Sequence, residues 1–214
     1  SPTANIYPGA VQERKWLALC MNRVSRKVLG IQREDRYAFN NDKEYMLKAG
    51  NGYYISGTDQ NKLYNYIASK YSGTTAQVWR NEIATRMTDP WGGSCLGMSL
   101  TTLMDKTGML AVNEVRGGGL GSTLNNFLSY KSGKPQITNE VISIINYYQL
   151  TQYLPDFQID KIGGNAMSQR LREFVNALKQ DGIALFCYSY NDGSSVKGHA
   201  VIAYGYSYSN GKHT

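Results

Sequence analysis

The 214-residue chain contains three cysteines and two histidines, and these residues could supply a nucleophile and a base. Cys95 follows Gly92, Gly93 and Ser94 and opens a stretch with a helical pattern. Backbone N–H groups at a helix N-terminus stabilise an anion, so a thiol at that position tends toward the nucleophilic thiolate. The two glycines leave room for the backbone of a substrate. A cysteine that only packs at the start of a helix is the alternative interpretation.

The other two cysteines have sequence surroundings that are typical of core residues. Cys20 lies on the apolar face of a helix predicted over residues 11–29. Cys187 lies within the apolar run 183–189, which predicts a buried strand. Free cysteine is commonly buried, and an odd count excludes a complete disulfide framework. Cys95 is therefore the candidate nucleophile.

A thiolate nucleophile needs a base and donors for an oxyanion, and His199 is the candidate base. It begins a strand predicted over residues 199–206, after the loop 191–198. The mouth of a strand holds a side chain rigidly and still leaves it accessible. His213 is one residue from the end of the sequence, and we expect it to be disordered. A core histidine that is satisfied by a hydrogen bond is the alternative for His199.

Helical patterns come first along the chain and strand patterns come last, which favours an α+β fold. Apolar spacing predicts further helices over residues 60–70, 75–87, 95–107, 138–153 and 167–180. The strand patterns at 183–189 and 199–206 are followed by a hairpin turn signal at 209–212.

Composition limits the classes of partner. The net charge is +7, but the basic residues are scattered, and the densest patch, Arg23–Lys27, suits a solvated helix face better than a nucleic-acid site. No apolar run is long enough to span a membrane. The cysteines and histidines lack metal-ligand spacing, and the glycines at 117–121 lack the following Gly-Lys-Thr or Gly-Lys-Ser of a phosphate loop. We therefore expect no metal, cofactor, nucleic acid or membrane span. Many tyrosines and glycines with few cysteines suit a secreted or cell-surface bacterial protein.

Two stretches taken together resemble the motifs of the papain-like cysteine peptidases. Gly93-Ser-Cys-Leu-Gly-Met-Ser99 is similar to the nucleophile motif of that family, Gly-Ser-Cys-Trp-Ala-Phe-Ser. Gly198-His-Ala-Val-Ile-Ala-Tyr-Gly-Tyr206 is similar to its histidine motif, His-Ala-Val followed by apolar residues and Gly-Tyr. The order of the two motifs and their wide separation also agree. The detailed match covers about 16 residues.

The resemblance implies a papain-like fold, in which a helical subdomain carries the cysteine and an antiparallel β subdomain carries the histidine. It implies that Cys95 attacks the scissile carbonyl of a peptide or protein substrate and that its backbone N–H donates to the oxyanion. His199 would form an ion pair with the thiolate and then protonate the leaving amine. Trp91 and Gly93 would border the substrate cleft, and Gly118 would contact the substrate backbone.

The sequence departs from the family in three respects. Asp89 stands six residues before the cysteine, where the family has the Gln that completes the oxyanion hole. Leu96 replaces the Trp that follows the cysteine. No Asn or Asp that orients the histidine is evident, because Asn210 lies too far along the strand and the antiparallel partner of His199 would fall near residue ~221. We expect a longer form of the chain, continuing the hairpin past Thr214, to carry that residue.

The resemblance divides the chain into an N-terminal helical extension or subdomain, residues 1–85, and a papain-like core, residues 86–214, which ends within its last hairpin. The leading functional hypothesis is a cysteine peptidase. A papain-fold acyltransferase or amidase is the second, since the same pair of residues serves both chemistries. A catalytically inactive binding module is the third, because of Asp89 and the missing orienting residue.

Overall fold

The computed structural model describes residues 37, 41, 53–88, 91–106, 128–131, 134–154, 167–191, 193–205, 207–210 and 212–213. These residues form helices and antiparallel strand pairs, so the chain has mixed, α+β-type secondary structure. The helix predicted over residues 11–29, Cys20, Asp89 and Gly118 lie outside the described residues.

The helices are α1 (Gly57–Lys70), α2 (Gly73–Thr88), α3 (Cys95–Lys106), α4 (Asn139–Leu150) and α5 (Met167–Asp181), and a 3₁₀ turn (Thr151–Tyr153) continues α4. The prediction of a helix in each of these places is confirmed. Two of them begin at side-chain caps: Ser56 Oγ accepts from the Asp59 N–H, and Thr138 Oγ1 accepts from the Val141 N–H. Such caps satisfy N–H groups that have no partner within the helix.

The strands are β1 (Leu128–Lys131), β2 (Lys134–Ile137), β3 (Ala184–Asn191), β4 (Val196–Ala203), β5 (Tyr208–Ser209) and β6 (Lys212–His213). Consecutive strands pair antiparallel, giving three two-stranded hairpins in the described part of the chain. The β1–β2 hairpin has no counterpart among the sequence predictions.

Two predictions about histidines are wrong. His199 does not begin its strand, because β4 already starts at Val196 and His199 pairs in mid-strand with Tyr188. The ladder runs through Lys197 and Gly198, so the connection after β3 is shorter than the loop predicted over 191–198. His213 is not disordered, since its backbone pairs with Tyr208 in the β5–β6 hairpin. The turn predicted at 209–212 is confirmed.

One buried cluster joins the helices on both sides of residue 85. Its members include Leu63, Ile67, Ile83, Leu96, Leu100, Met104, Tyr147 and Leu150. They come from α1, α2, α3 and α4, so helices that precede and follow α3 in the chain share one core with it. The division of the chain at 85–86 into two units stays a prediction.

Helices α3 and α4 approach closely at Gly97. A Cβ placed on Gly97 would lie 2.0 Å from the carbonyl oxygen of Ile145. Only glycine allows the two backbones to come this close, and the contact fixes where α3 lies on α4. In the described ranges, no helix combines the length and apolarity needed to cross a bilayer.

Candidate active site

The segment before α3 is held by an aromatic stack and by hydrogen bonds. The rings of Trp91 and Tyr53 stack with their centroids 3.5 Å apart and their planes 6° apart. The Tyr53 hydroxyl donates to the Trp91 carbonyl oxygen, and Trp91 Nε1 donates to Ser94 Oγ over 3.0 Å. Trp91 is thus held through its ring, its Nε1 and its carbonyl oxygen, and these contacts fix the backbone that leads into Cys95.

Side chains from α4 complete this support. The buried Ser94 Oγ donates to Asn146 Oδ1 over 2.7 Å, and Asn146 Nδ2 donates to the Tyr54 carbonyl oxygen over 2.9 Å. The N–H of Gly97, in the first turn of α3, donates to Gln149 Oε1 over 3.0 Å. Buried polar groups that are all paired specify one arrangement, so this network sets the position of the helix start.

Cys95 is the first residue of α3, as the sequence predicts. The first N–H groups of a helix have no intrahelical acceptor, and they give the helix N-terminus a partial positive charge. Gln149 occupies one of these donors at Gly97. The Cys95 side chain is partly accessible.

His199 reaches the site from β4, where its ring meets the ring of its cross-strand partner. The imidazole and the Tyr188 ring lie edge-on, with centroids 5.7 Å apart and planes at 88°. Tyr188 is 41% exposed, while His199 is only partly accessible. An edge-on aromatic contact of this kind restricts the orientation of the imidazole.

A hydrogen bond joins the cysteine helix to the histidine strand. Ser99 Oγ donates to the Ala200 carbonyl oxygen over 3.1 Å, and both residues are buried. Ser99 lies one helical turn after Cys95, and Ala200 directly follows His199. The bond therefore fixes β4 against α3 beside the two candidate residues.

Cys95 and His199 line the same cavity, of about 290 Å³. The other lining residues are Tyr37, Asn41, Met98, Ser99, Thr102, Ala200, Val201, Ile202 and Tyr204. Trp91 and Gly93 are not among them, although Gly93 contacts the lining residue Asn41. The structure thus brings the two candidate catalytic residues together, and it uses Trp91 to support the loop in front of Cys95.

Burial raises the pKa of two further side chains, Cys187 and the cavity-lining Tyr37. Burial, with a smaller contribution from Cys95, raises the pKa of Cys187 to about 11, so this thiol remains protonated at neutral pH. Cys187 packs beside the core cluster, in line with the structural role predicted for it. Burial also raises the pKa of Tyr37, whose hydroxyl forms a 2.8 Å hydrogen bond with Thr101 Oγ1.

Several residues that build the site were not identified from the sequence. Gln149 and Asn146 looked like ordinary polar residues of a helix, and Tyr188 like one more aromatic residue of a strand. The strand register would have placed Tyr188 opposite His199 if the β3–β4 turn had been located correctly. Asn41 offered no signal, because its place at the cavity results from packing between distant parts of the chain.

Within the described ranges, no group of three or more His, Cys, Asp or Glu side chains is arranged to hold a metal ion. Comparison of the chain with protein-family models, with curated proteins and with solved structures gives no significant match.

Proposed function

We propose that the protein is a cysteine peptidase that cleaves peptide bonds through a Cys95–His199 thiolate–imidazolium pair. One observation carries the proposal: a cysteine at a helix start and a histidine from a distant strand line a single cavity. A helix that carries the nucleophile, packed against an antiparallel pair that carries the base, is also the arrangement that a papain-like fold requires.

The reaction follows from the positions of these groups. Cys95 Sγ attacks the scissile carbonyl carbon, and the carbonyl electron pair moves onto oxygen, where the Cys95 backbone N–H donates to it. Collapse of this intermediate breaks the C–N bond, and the His199 proton passes to the leaving amine. Water then attacks the thioester carbonyl while His199 accepts a proton from the water. Breakage of the C–S bond releases the carboxylic acid and restores the thiolate–imidazolium pair.

The support around the two residues is what such a reaction needs. The polar network at Ser94 and Gly97 fixes the nucleophile, and the Ser99–Ala200 hydrogen bond fixes the strand of the base. Pre-positioned groups avoid the entropy cost of assembly during the reaction. We also propose that the protein acts outside the cell or at its surface, on the compositional grounds given above.

Fluorescein-labelled casein and iodoacetamide test the proposal on the same sample. We expect the protein to release casein peptides and to be alkylated at Cys95 fastest near neutral pH. Cys95→Ala should abolish cleavage, and His199→Ala should slow cleavage by about 10²–10⁴-fold, the contribution of a positioned general acid–base. Cys187→Ala is the matched cysteine control, and it should leave cleavage unchanged.

Two outcomes would contradict the proposal in different ways. Slow alkylation of every cysteine at a similar rate, with intact casein, would identify an inactive binding module. Rapid alkylation of Cys95 combined with acyl transfer to an added amine, and without hydrolysis, would identify an acyltransferase.

A further inference from the structure

The geometry points to Asn41 as the side-chain amide that donates to the oxyanion beside Cys95, an assignment that rests on the proposed peptidase function. A peptidase of this kind needs a second donor besides the backbone N–H of the nucleophile. The position six residues before Cys95 holds Asp89, whose carboxylate lacks an N–H to donate. A donor must therefore come from another part of the chain.

Asn41 lies beside the backbone that leads into the nucleophile. It lines the cavity together with Cys95 and His199. Its amide lies against Gly93, two residues before the nucleophile: a Cβ on Gly93 would lie 2.7 Å from Oδ1 and 2.9 Å from both Cγ and Nδ2 of Asn41. The amide therefore rests on the backbone that leads into Cys95.

Gly93 makes this contact possible. Its φ of +147° lies in a region that L side chains rarely adopt, and any Cβ would overlap the amide of Asn41. Glycine at position 93 thus has two effects. It allows the positive φ of the backbone, and it leaves room for the Asn41 amide beside the segment that leads into Cys95.

The oxygen of the Asn41 amide accepts no hydrogen bond from the described residues. Oδ1 is buried, and it has no hydrogen-bond partner among the described residues. An unpaired buried acceptor costs free energy, and native proteins keep such groups mainly where they serve a function.

The donor acts on one step. When Cys95 Sγ forms its bond to the carbonyl carbon, the electron pair of the broken π bond becomes the negative charge on oxygen. The Asn41 Nδ2–H and the Cys95 N–H both donate to that oxygen. The charge returns to the carbonyl as the C–N bond breaks, so Asn41 neither gains nor loses a proton.

Asn41→Ala and Asn41→Leu test the assignment, with a fluorogenic peptide that spans the main casein bond cleaved by the wild-type protein. We expect kcat to fall by about 10²–10³-fold, the usual loss for one oxyanion donor, with little change in KM. A peptide aldehyde of the same sequence, which forms a hemithioacetal with Cys95, should lose affinity by a similar factor. Iodoacetamide reacts at a saturated carbon and creates no oxyanion, so the alkylation rate of Cys95 should stay within about twofold of the wild type.

An unchanged alkylation rate of Cys95 also shows that the variants are folded and that Cys95 and His199 keep their arrangement. Unchanged kcat and aldehyde affinity in both variants would overturn the assignment. A parallel fall in alkylation and kcat would overturn it too, because Asn41 would then hold the imidazole or the loop. A wild-type protein that cleaves no casein and binds no aldehyde would instead overturn the proposed function, and the assignment with it.

Discussion

The imidazole of His199 lies edge-on to the ring of Tyr188, a contact that can hold its orientation. An edge-on aromatic pair contributes about 0.5–1.5 kcal/mol, which corresponds to about 2–12-fold in a rate if the contact is needed in the transition state. We expect Tyr188→Ala to lower kcat for peptide cleavage by that factor and to leave KM unchanged. Tyr188→Phe keeps the ring facing His199 and serves as the matched control.

Steady-state kinetics of the two variants decide the role of Tyr188. A kcat for Tyr188→Ala equal to that of the wild type would show that the ring does not orient the base. An equal loss in Tyr188→Phe would show that the hydroxyl, and not the ring, carries the effect.

Cys187 provides a prediction about pH. Because burial raises its pKa to about 11 from 9.0, the folded state favours the protonated thiol. The resulting contribution to stability is complete below pH 9 and is lost as the pH rises through about 11. We expect alkylation of Cys187 in the folded protein to remain slow up to pH 9 and to accelerate toward pH 11. Mass spectrometry of iodoacetamide-treated protein measures this profile, and rapid labelling of Cys187 at pH 8 would contradict it.

At the level of single residues, sequence chemistry predicted the helix-start position of Cys95 well. The glycines, the serine and the apolar pattern that follow from position 92 onward are local signals, and local signals decide where a helix begins. The partners of Cys95 are not local. Asn41, Tyr188 and Gln149 reach the site through packing between elements, and a single sequence carries no sign of such contacts.

Among the elements, α3 is held in place on α4, because its Gly97 lies against the α4 backbone. Gly97→Ala would drive a methyl group into the Ile145 carbonyl oxygen. Overpacking of this kind costs about 1–3 kcal/mol, so we expect a loss of unfolding free energy in this range together with a loss of activity. Gly57→Ala is the control, since a Cβ there meets nothing within 4 Å and should be neutral or stabilising by up to about 1 kcal/mol.

Urea denaturation of both variants measures the two free energies. Equal stability of Gly97→Ala and Gly57→Ala would mean that α3 and α4 can separate at little cost, and that the close approach does not define the site.

The elements also show which sequence signals were sufficient to predict a helix or the start of a strand. Ser56 and Thr138 are typical N-cap residues, and the apolar spacing after them predicted α1 and α4. The start of β4 was misplaced because Lys197 and Gly198 looked like loop residues. Their backbones pair with β3, and the pairing is decided by the partner strand and not by their own propensity.

At the scale of the whole molecule, helices α1 and α2 contribute to the core in which α3, the helix that carries Cys95, also packs. Leu63, Ile67 and Ile83 are fully buried and belong to the same cluster as Leu100 and Met104. A chain that starts at residue 86 would expose the part of this core that these residues cover, chiefly on α4. Burial of one large aliphatic side chain contributes about 1.5–3 kcal/mol, so losing three of them approaches the stability of a typical domain.

We therefore expect the fragment 86–214 to lack a cooperative thermal transition, while the 214-residue chain unfolds cooperatively. Calorimetry of the two proteins measures this difference. A sharp transition in the fragment would show that residues 86–214 fold independently, as the division at residue 85 assumes.

The mid-strand position of His199 makes the direction of its imidazole sensitive to strand length. Successive side chains of a strand point to opposite faces, so one inserted residue between Val196 and His199 would turn the imidazole away from α3. Two inserted residues would restore its direction but displace it by about 6–7 Å, at about 3.3 Å per residue. The exposed bend at Gly193–Ser195 lies outside this constraint. The chain can thus vary in length at that bend, whereas the spacing from the first residue of β4 to the imidazole has to remain constant for His199 to face α3.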